Sequence, residues 1–314
     1  MTEIERQLVK IAEAAFEHDC HFDRFGPSNF WMRFLVFLND LSLYLLRRSL
    51  VGARRARCAI PALLRLHSEL RIARSDILSF VRESSLELSE IPDSLPEMQW
   101  SSEVVPPHLE NIPNMLEPDA MRYYVWLGRT LDPVGPVVEL GSWMGGSTAC
   151  LASGLRQNHR YSSYKLHVFD SFIWRNWMTQ FTTHPVLSAR YGDGDSFIDA
   201  FLKHCVAFRD LIEVRQCEIA PEVKNNSMVQ AQWDRGPIGA LVVDHSDRYD
   251  ANAEAWNIFA SSLVPGRTIV VFNQYGNLRA EELRRFCRDH RPELAPLHHL
   301  ACSGRAFLFR GRSS

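Results

Sequence analysis

The 314-residue chain has no C-x-x-C pair. Its seven cysteines (Cys20, Cys58, Cys150, Cys205, Cys217, Cys287 and Cys302) are odd in number and scattered. Neither a zinc finger nor a disulfide framework is indicated, and a reducing cytoplasm suits this usage. Excess charge is also missing: 35 basic side chains stand against 37 acidic ones, a formal net charge of −2, which gives no electrostatic reason to expect a nucleic-acid partner. No uninterrupted apolar run is long enough for a bilayer. The best candidate, residues 29–46, is broken by Arg33, Asn39 and Asp40, each charge costing about 2.5–3.5 kcal/mol at a bilayer centre, so it is read as a buried helix and no membrane is expected. The opening MTEIERQLVK lacks the apolar core of a signal peptide. Internal repeats and low-complexity tracts are absent. With 46% hydrophobic residues, the chain is instead an ordinary globular one with a substantial core.

Three zones follow from the patterning. Residues 1–91 read as an α-helical domain. Ile4, Leu8 and Ile11 recur at helical spacing, 30–46 is apolar almost all round, and Leu63, Leu66, Leu70, Ile77 and Phe80 mark one face of a third helix. Nine arginines against two acids, Asp40 and Glu69, fall in 30–74; they fit either a solvated face or a dimerisation arm and lid, so a homodimer through these helices is expected. Residues 92–118 hold six of the sixteen prolines. Because proline lacks a backbone donor and fixes φ, this stretch is read as a connector without regular structure. From 119 to 314 short apolar runs at 136–140, 165–169, 211–215, 238–243 and 268–272 alternate with helical patterns, one of them at 278–290. This is the signature of a parallel sheet covered on both faces, and 297–302 with 306–310 suggests a closing antiparallel hairpin.

The most informative stretch is Val137-Val-Glu-Leu-Gly-Ser-Trp-Met-Gly-Gly-Ser-Thr148. A strand ends in an acid, glycines allow a tight turn and close backbone approach, and Ser147 and Thr148 open the next helix, where free amides can hold an anion. The spacing of Gly141, Gly145 and Gly146 is not the G-x-G-x-x-G of dinucleotide binders. The next strand ends on Asp170, where doubly wound sheets often hold a ribose diol.

VVELGSWMGGST followed by HVFDSF resembles motifs I and II of the class I S-adenosylmethionine-dependent methyltransferases, in particular the small-molecule branch related to macrocin O-methyltransferase. The resemblance covers roughly 113–311. It implies a Rossmann-like α/β fold with a seven-stranded sheet in the order 3-2-1-4-5-7-6, behind the N-terminal helical domain, and S-adenosyl-L-methionine as cofactor. It further implies that Gly141, Ser142 and Gly145 pass the methionyl part, that Ser147 meets its carboxylate, and that Asp170 with Ser171 holds the ribose. Glu139 would orient the loop or meet the amino group, and Cys217 or Glu218 would lie near the adenine.

Asp244 ends the fourth strand beside the switch point, followed by His245 and Asp247. His245, with an unperturbed pKa nearest neutrality, is the preferred base; Asp244 orients it or the cofactor, and Asp247 competes for the role. Metal-dependent members of the branch carry paired acids after strand five, whereas this chain has Asn273 and Gln274. A hard divalent cation prefers carboxylates, so no tightly bound metal is expected. Asn273 and Tyr275 are expected to hydrogen-bond the acceptor. In the insertion after strand two, Trp174, Trp177 and His184 suit either a cover over an acceptor or packing against the N-terminal helices.

These readings converge on methyl transfer to a hydroxyl of a small molecule. Nitrogen or carbon methylation, a cofactor-assisted rearrangement or cyclisation, and a non-catalytic cofactor-binding interaction subunit are the alternatives. Only Lys10, Lys165, Lys203 and Lys224 are lysine, an arginine bias that fits a GC-rich genome and is compatible with bacterial specialised metabolism.

Overall fold

The computed structural model describes residues 99–180, 190–219, 229–275, 280–300 and 304–311. The helices expected over 1–91, the dimer and lid assigned to them, and His184 lie outside these residues.

Seven strands form one sheet: β1 (Val137–Leu140), β2 (Leu166–Asp170), β3 (Ile212–Gln216), β4 (Ala240–Val243), β5 (Ile269–Phe272), β6 (Leu294–His299) and β7 (Arg305–Phe309). Their order is β3-β2-β1-β4-β5-β7-β6. The first five are parallel, and β7 runs antiparallel between β5 and β6. β1 is central and buried along its whole length, which explains its near-continuous apolar text. Successive residues of the strands serve opposite faces: Val137, Val168, Ala240, Val242 and Val271 enter one core, while Val138, Leu140, Phe169, Leu241, Val243 and Val270 enter the other. The hairpin begins earlier than expected. Pro296 sits in β6 at a register irregularity between Pro296 and His298, on an edge strand where a missing donor is tolerated, and it masks the strand in the sequence.

The connector reading needs one correction. A single helical turn, α1 (Pro107–Glu110), lies inside 92–118, and it starts on a proline because the first helical position needs no donor. Leu109 and Trp100 are buried. The Trp100 indole donates to Asp119 at 3.0 Å and packs with Tyr123, Trp126 and His298 at centroid separations of 4.9, 5.7 and 5.4 Å. Burial pushes the His298 imidazole down to about 4; it is neutral at pH 7 and shares a 3.2 Å hydrogen bond with the Tyr123 hydroxyl.

Helix α2 (Pro118–Thr130) packs on α3 (Gly146–Gln157). Its last carbonyls are satisfied by Asn158, whose amide donates to Gly128 and Leu131 at 3.2 and 2.8 Å. This fixes α2 over the sheet and sets Tyr124, in its middle, toward the carboxyl edge. α4 (Ile198–His204) precedes β3, α5 (Tyr249–Phe259) follows β4, and α6 (Glu281–Asp289) follows β5. Among the described residues no helix is long and apolar enough to cross a membrane.

Candidate active site

The loop from β1 to α3 turns on two glycines in the left-handed region, Gly141 at φ +82° and Gly145 at +91°. A Cβ on Gly141 would stand 2.7 Å from the Asp244 carbonyl oxygen, so any other residue would collide with the backbone leaving β4. Trp143, in the same loop, also has positive φ (+45°), as does Phe172 (+52°) beyond β2. Such conformations persist only where surroundings impose them. Here Asp170 does so: its Oδ2 accepts from the amides of Ser142 and Trp143 at 2.8 and 3.0 Å, and its Oδ1 accepts from the Phe172 amide at 2.7 Å. Burial raises the Asp170 carboxyl, and these amides offset part of the rise.

Glu139 is fully buried under this loop. Its Oε2 accepts from the Thr148 hydroxyl at 2.5 Å, while Oε1 is buried without a hydrogen-bond partner. Burial pushes its pKa up to about 7, held back by the Ser147 and Thr148 hydroxyls and raised further by Asp244 and Asp170. An orphaned buried acceptor beside the amino terminus of α3 fits an amino acid: its ammonium would satisfy Glu139, and its carboxylate would face the free amides near Ser147.

At the end of β4, Asp244 accepts from Asn273 Nδ2 at 2.8 Å on Oδ2 and from Gln274 Nε2 at 3.1 Å on Oδ1. Asn273 Oδ1 in turn accepts from the Tyr124 hydroxyl at 3.1 Å. Burial pushes Asp244 up to about 7 against these two donors, and the Asp170 charge adds to the rise. Both amides thus turn N–H groups to the carboxylate, and the Asn273 carbonyl is committed elsewhere. This is not a cage of oxygens, and the residues present do not fit a hard divalent cation. Among the described residues no group of three His, Cys, Asp or Glu could hold a metal ion.

Residues 138–275 match the family described as "Methyltransferase domain", and the match spans the loop, Asp170 and the Asp244 cluster on a sheet of order 3-2-1-4-5-7-6. That segment, under half of the chain, is therefore similar to a methyltransferase domain. None of the curated proteins matches the sequence. Solved structures similar to it include the O-methyltransferase NovP, with 13% identity, TM-score 0.44, and coverage of 63% of this chain and 83% of that one. CalS11, a TDP-rhamnose 3'-O-methyltransferase of calicheamicin biosynthesis, shows 16% identity, TM-score 0.41, and coverage of 68% and 90%. An O-methyltransferase from Bacillus cereus in complex with SAH shows 14% identity, TM-score 0.40, and coverage of 65% and 92%.

Within the matched segment, Glu139, Gly141, Ser142, Gly145, Ser147, Asp170 and Ser171 gather at the carboxyl edges of β1 and β2. Asp170 has a role in the loop itself that the motif alone does not reveal, since it pins both strained turns. Cys217 is buried, with burial pushing its thiol up to about 11; its amide donates to the Asp170 carbonyl at 2.9 Å. Glu218 is half-buried and bridges to Gln230. Asp247 is half-buried in the loop before α5.

The arrangement of His245 differs from that of a poised base. Its Nε2 hydrogen donates to the Ala251 carbonyl at 3.4 Å, its Nδ1 is buried without a partner, and burial pushes its pKa down to about 4. Trp174 is corrected from acceptor cover to core: it is 0% exposed and packs against Tyr191, Phe197 and Trp143. Trp177, 49% exposed, keeps a surface position. Tyr275 is corrected likewise, buried against Phe307 in the second core rather than offered to an acceptor. Asn273 bonds Asp244 and Tyr124 instead of an open site.

Two residues escaped the sequence reading. Tyr124 gave no signal because it lies on an apolar helix where a tyrosine reads as core, and Trp143 gave none because nothing in the text marks a left-handed tryptophan.

Proposed function

We propose that the domain transfers a methyl group from S-adenosylmethionine to a hydroxyl of a small molecule, with Asp244 as the general base. One observation carries this reading: a carboxylate at the carboxyl edge of β4, on a residue whose main-chain carbonyl lies against Gly141 of the glycine loop, held by Asn273 and Gln274 and pushed up to about 7. A base with that pKa is matched to neutral pH. A hydroxyl acceptor must lose its proton as it is methylated, whereas a neutral amine already presents a lone pair.

When bound, S-adenosylmethionine supplies an electrophilic methyl on a sulfonium leaving group. The chain's tasks are then alignment and proton removal. Glu139 Oε1 and the first amides of α3 would hold the amino-acid end, beside the Gly141–Gly145 turn. Asp170 keeps acceptor capacity on Oδ1 for a ribose hydroxyl. Asp244 takes the acceptor proton. His245 contributes less as a base, because a group near 4 is a poor acceptor at pH 7.

Calorimetric titration with S-adenosylhomocysteine tests the reading. Saturable binding in the micromolar range is expected, and an absence of heat at millimolar ligand would favour an interaction subunit over an enzyme.

A further inference from the structure

Tyr124, Asn273, Asp244 and Gln274 are joined in one hydrogen-bonded chain, drawn from α2, the end of β4 and the end of β5. We infer that the two amides replace a divalent cation at Asp244, and that Tyr124 is the positioning residue that keeps them from serving as cation ligands. The inference rests on the methyltransferase reading above and adds to it how the base is held.

A cation at Asp244 would need the Asn273 and Gln274 carbonyls turned toward it. Turning Asn273 breaks its bond to Asp244 and also removes the acceptor of the Tyr124 hydroxyl among the described residues, on a side chain that is 0% exposed. An unsatisfied buried hydroxyl is costly, so Tyr124 selects one orientation of the amide. In that orientation each carboxylate oxygen receives one N–H, which fixes the plane of the carboxylate without neutralising its charge. The other charged groups acting on this cluster are the carboxyls of Asp170 and Glu139, from β2 and β1. Neither donates.

Electron paramagnetic resonance of Mn²⁺ on the full chain, with S-adenosylhomocysteine present, tests the replacement. The wild type is expected to leave the free-ion signal unchanged up to about millimolar Mn²⁺, while Asn273→Asp combined with Gln274→Glu, which restores oxygen ligands, depletes it. Tight Mn²⁺ binding by the wild type that disappears in Asp244→Asn would overturn the inference, as would a folded double variant that gains no affinity. Should the double variant not fold, a second measurement decides. Carbon-13 NMR titration of the Asp244 carboxyl should move to higher pH by about one unit in Tyr124→Phe, as its donors lose their order, with the wild-type value retained in Tyr123→Phe. An unmoved titration in Tyr124→Phe excludes the positioning role. Failure of S-adenosylhomocysteine to bind the same samples overturns the methyltransferase reading instead, and leaves the Mn²⁺ result to decide the site.

Discussion

The cofactor end of the site is written in one loop. Glu139, Gly141, Gly145, Ser147 and Thr148 follow one another along the chain, and glycine conformations and backbone amides give the loop its form. The acceptor end is assembled from side chains far apart in sequence: Tyr124 meets Asn273 across 149 positions, and Asn273 meets Asp244 across 29. The two ends touch where Gly141 abuts the Asp244 carbonyl. The first end depends on backbone shape, the second on the orientation of a few polar groups. Substitutions should therefore damage them differently.

The largest effect is expected at the acceptor end. Asp244→Asn keeps the shape of the base and removes its proton affinity, so turnover should fall by about 10²–10⁴ while S-adenosylhomocysteine binding stays within about threefold. His245→Asn, one residue on, should leave turnover within about threefold. Steady-state kinetics across pH 6–9 compares them, and equal losses in the two variants would remove the distinction between base and neighbour.

Gly141→Ala strikes the point where the ends meet. It forces a side chain into positive φ and against backbone, which should cost about 3 kcal/mol or more in urea unfolding and weaken S-adenosylhomocysteine binding in parallel. An alanine variant with wild-type stability and affinity would show that the two loops are not in contact.

Glu139→Gln has a smaller, pH-dependent effect. The folded-state pKa of about 7 lies above the ordinary value of 4.5, so the folded protein binds this proton more tightly than the unfolded chain. The stability it contributes is present below about pH 4.5 and is lost as pH rises through 7. The glutamine variant should therefore match the wild type near pH 4.5 and exceed it by about 3 kcal/mol above pH 7 in the free protein. His245 and His298, both held near 4, act with the opposite sign: they destabilise the fold as pH falls below their ordinary value of 6.5. The difference between variant and wild type cancels them. A difference that does not change between pH 4.5 and 8 would show that Glu139 is not strained by burial.

This contrast also explains what could be read in advance. The β1 to β5 runs, the glycine loop and the acids ending β1, β2 and β4 are periodic or local signals, and the sheet order follows from their resemblance to a family. Pro296 hid the start of β6 because proline argues against a strand unless the strand is known to be an edge. Intrinsic pKa favours His245 as the base, whereas burial pushes that imidazole down and the neighbouring carboxylate up, and burial of one side chain is a tertiary property. Trp174 and Tyr275 read as binding aromatics because sequence does not say which face of a loop packs inward. Tyr124 bonds a residue 149 positions away, just past β5, so no local pattern could mark it.

Asn and Asp, like Gln and Glu, are separated by a single codon base. At the end of β5, then, the same backbone stands one mutational step per residue from a set of oxygen ligands, with Asp244 already in place to complete it. A lineage could exchange one way of holding its base for the other without rebuilding the fold.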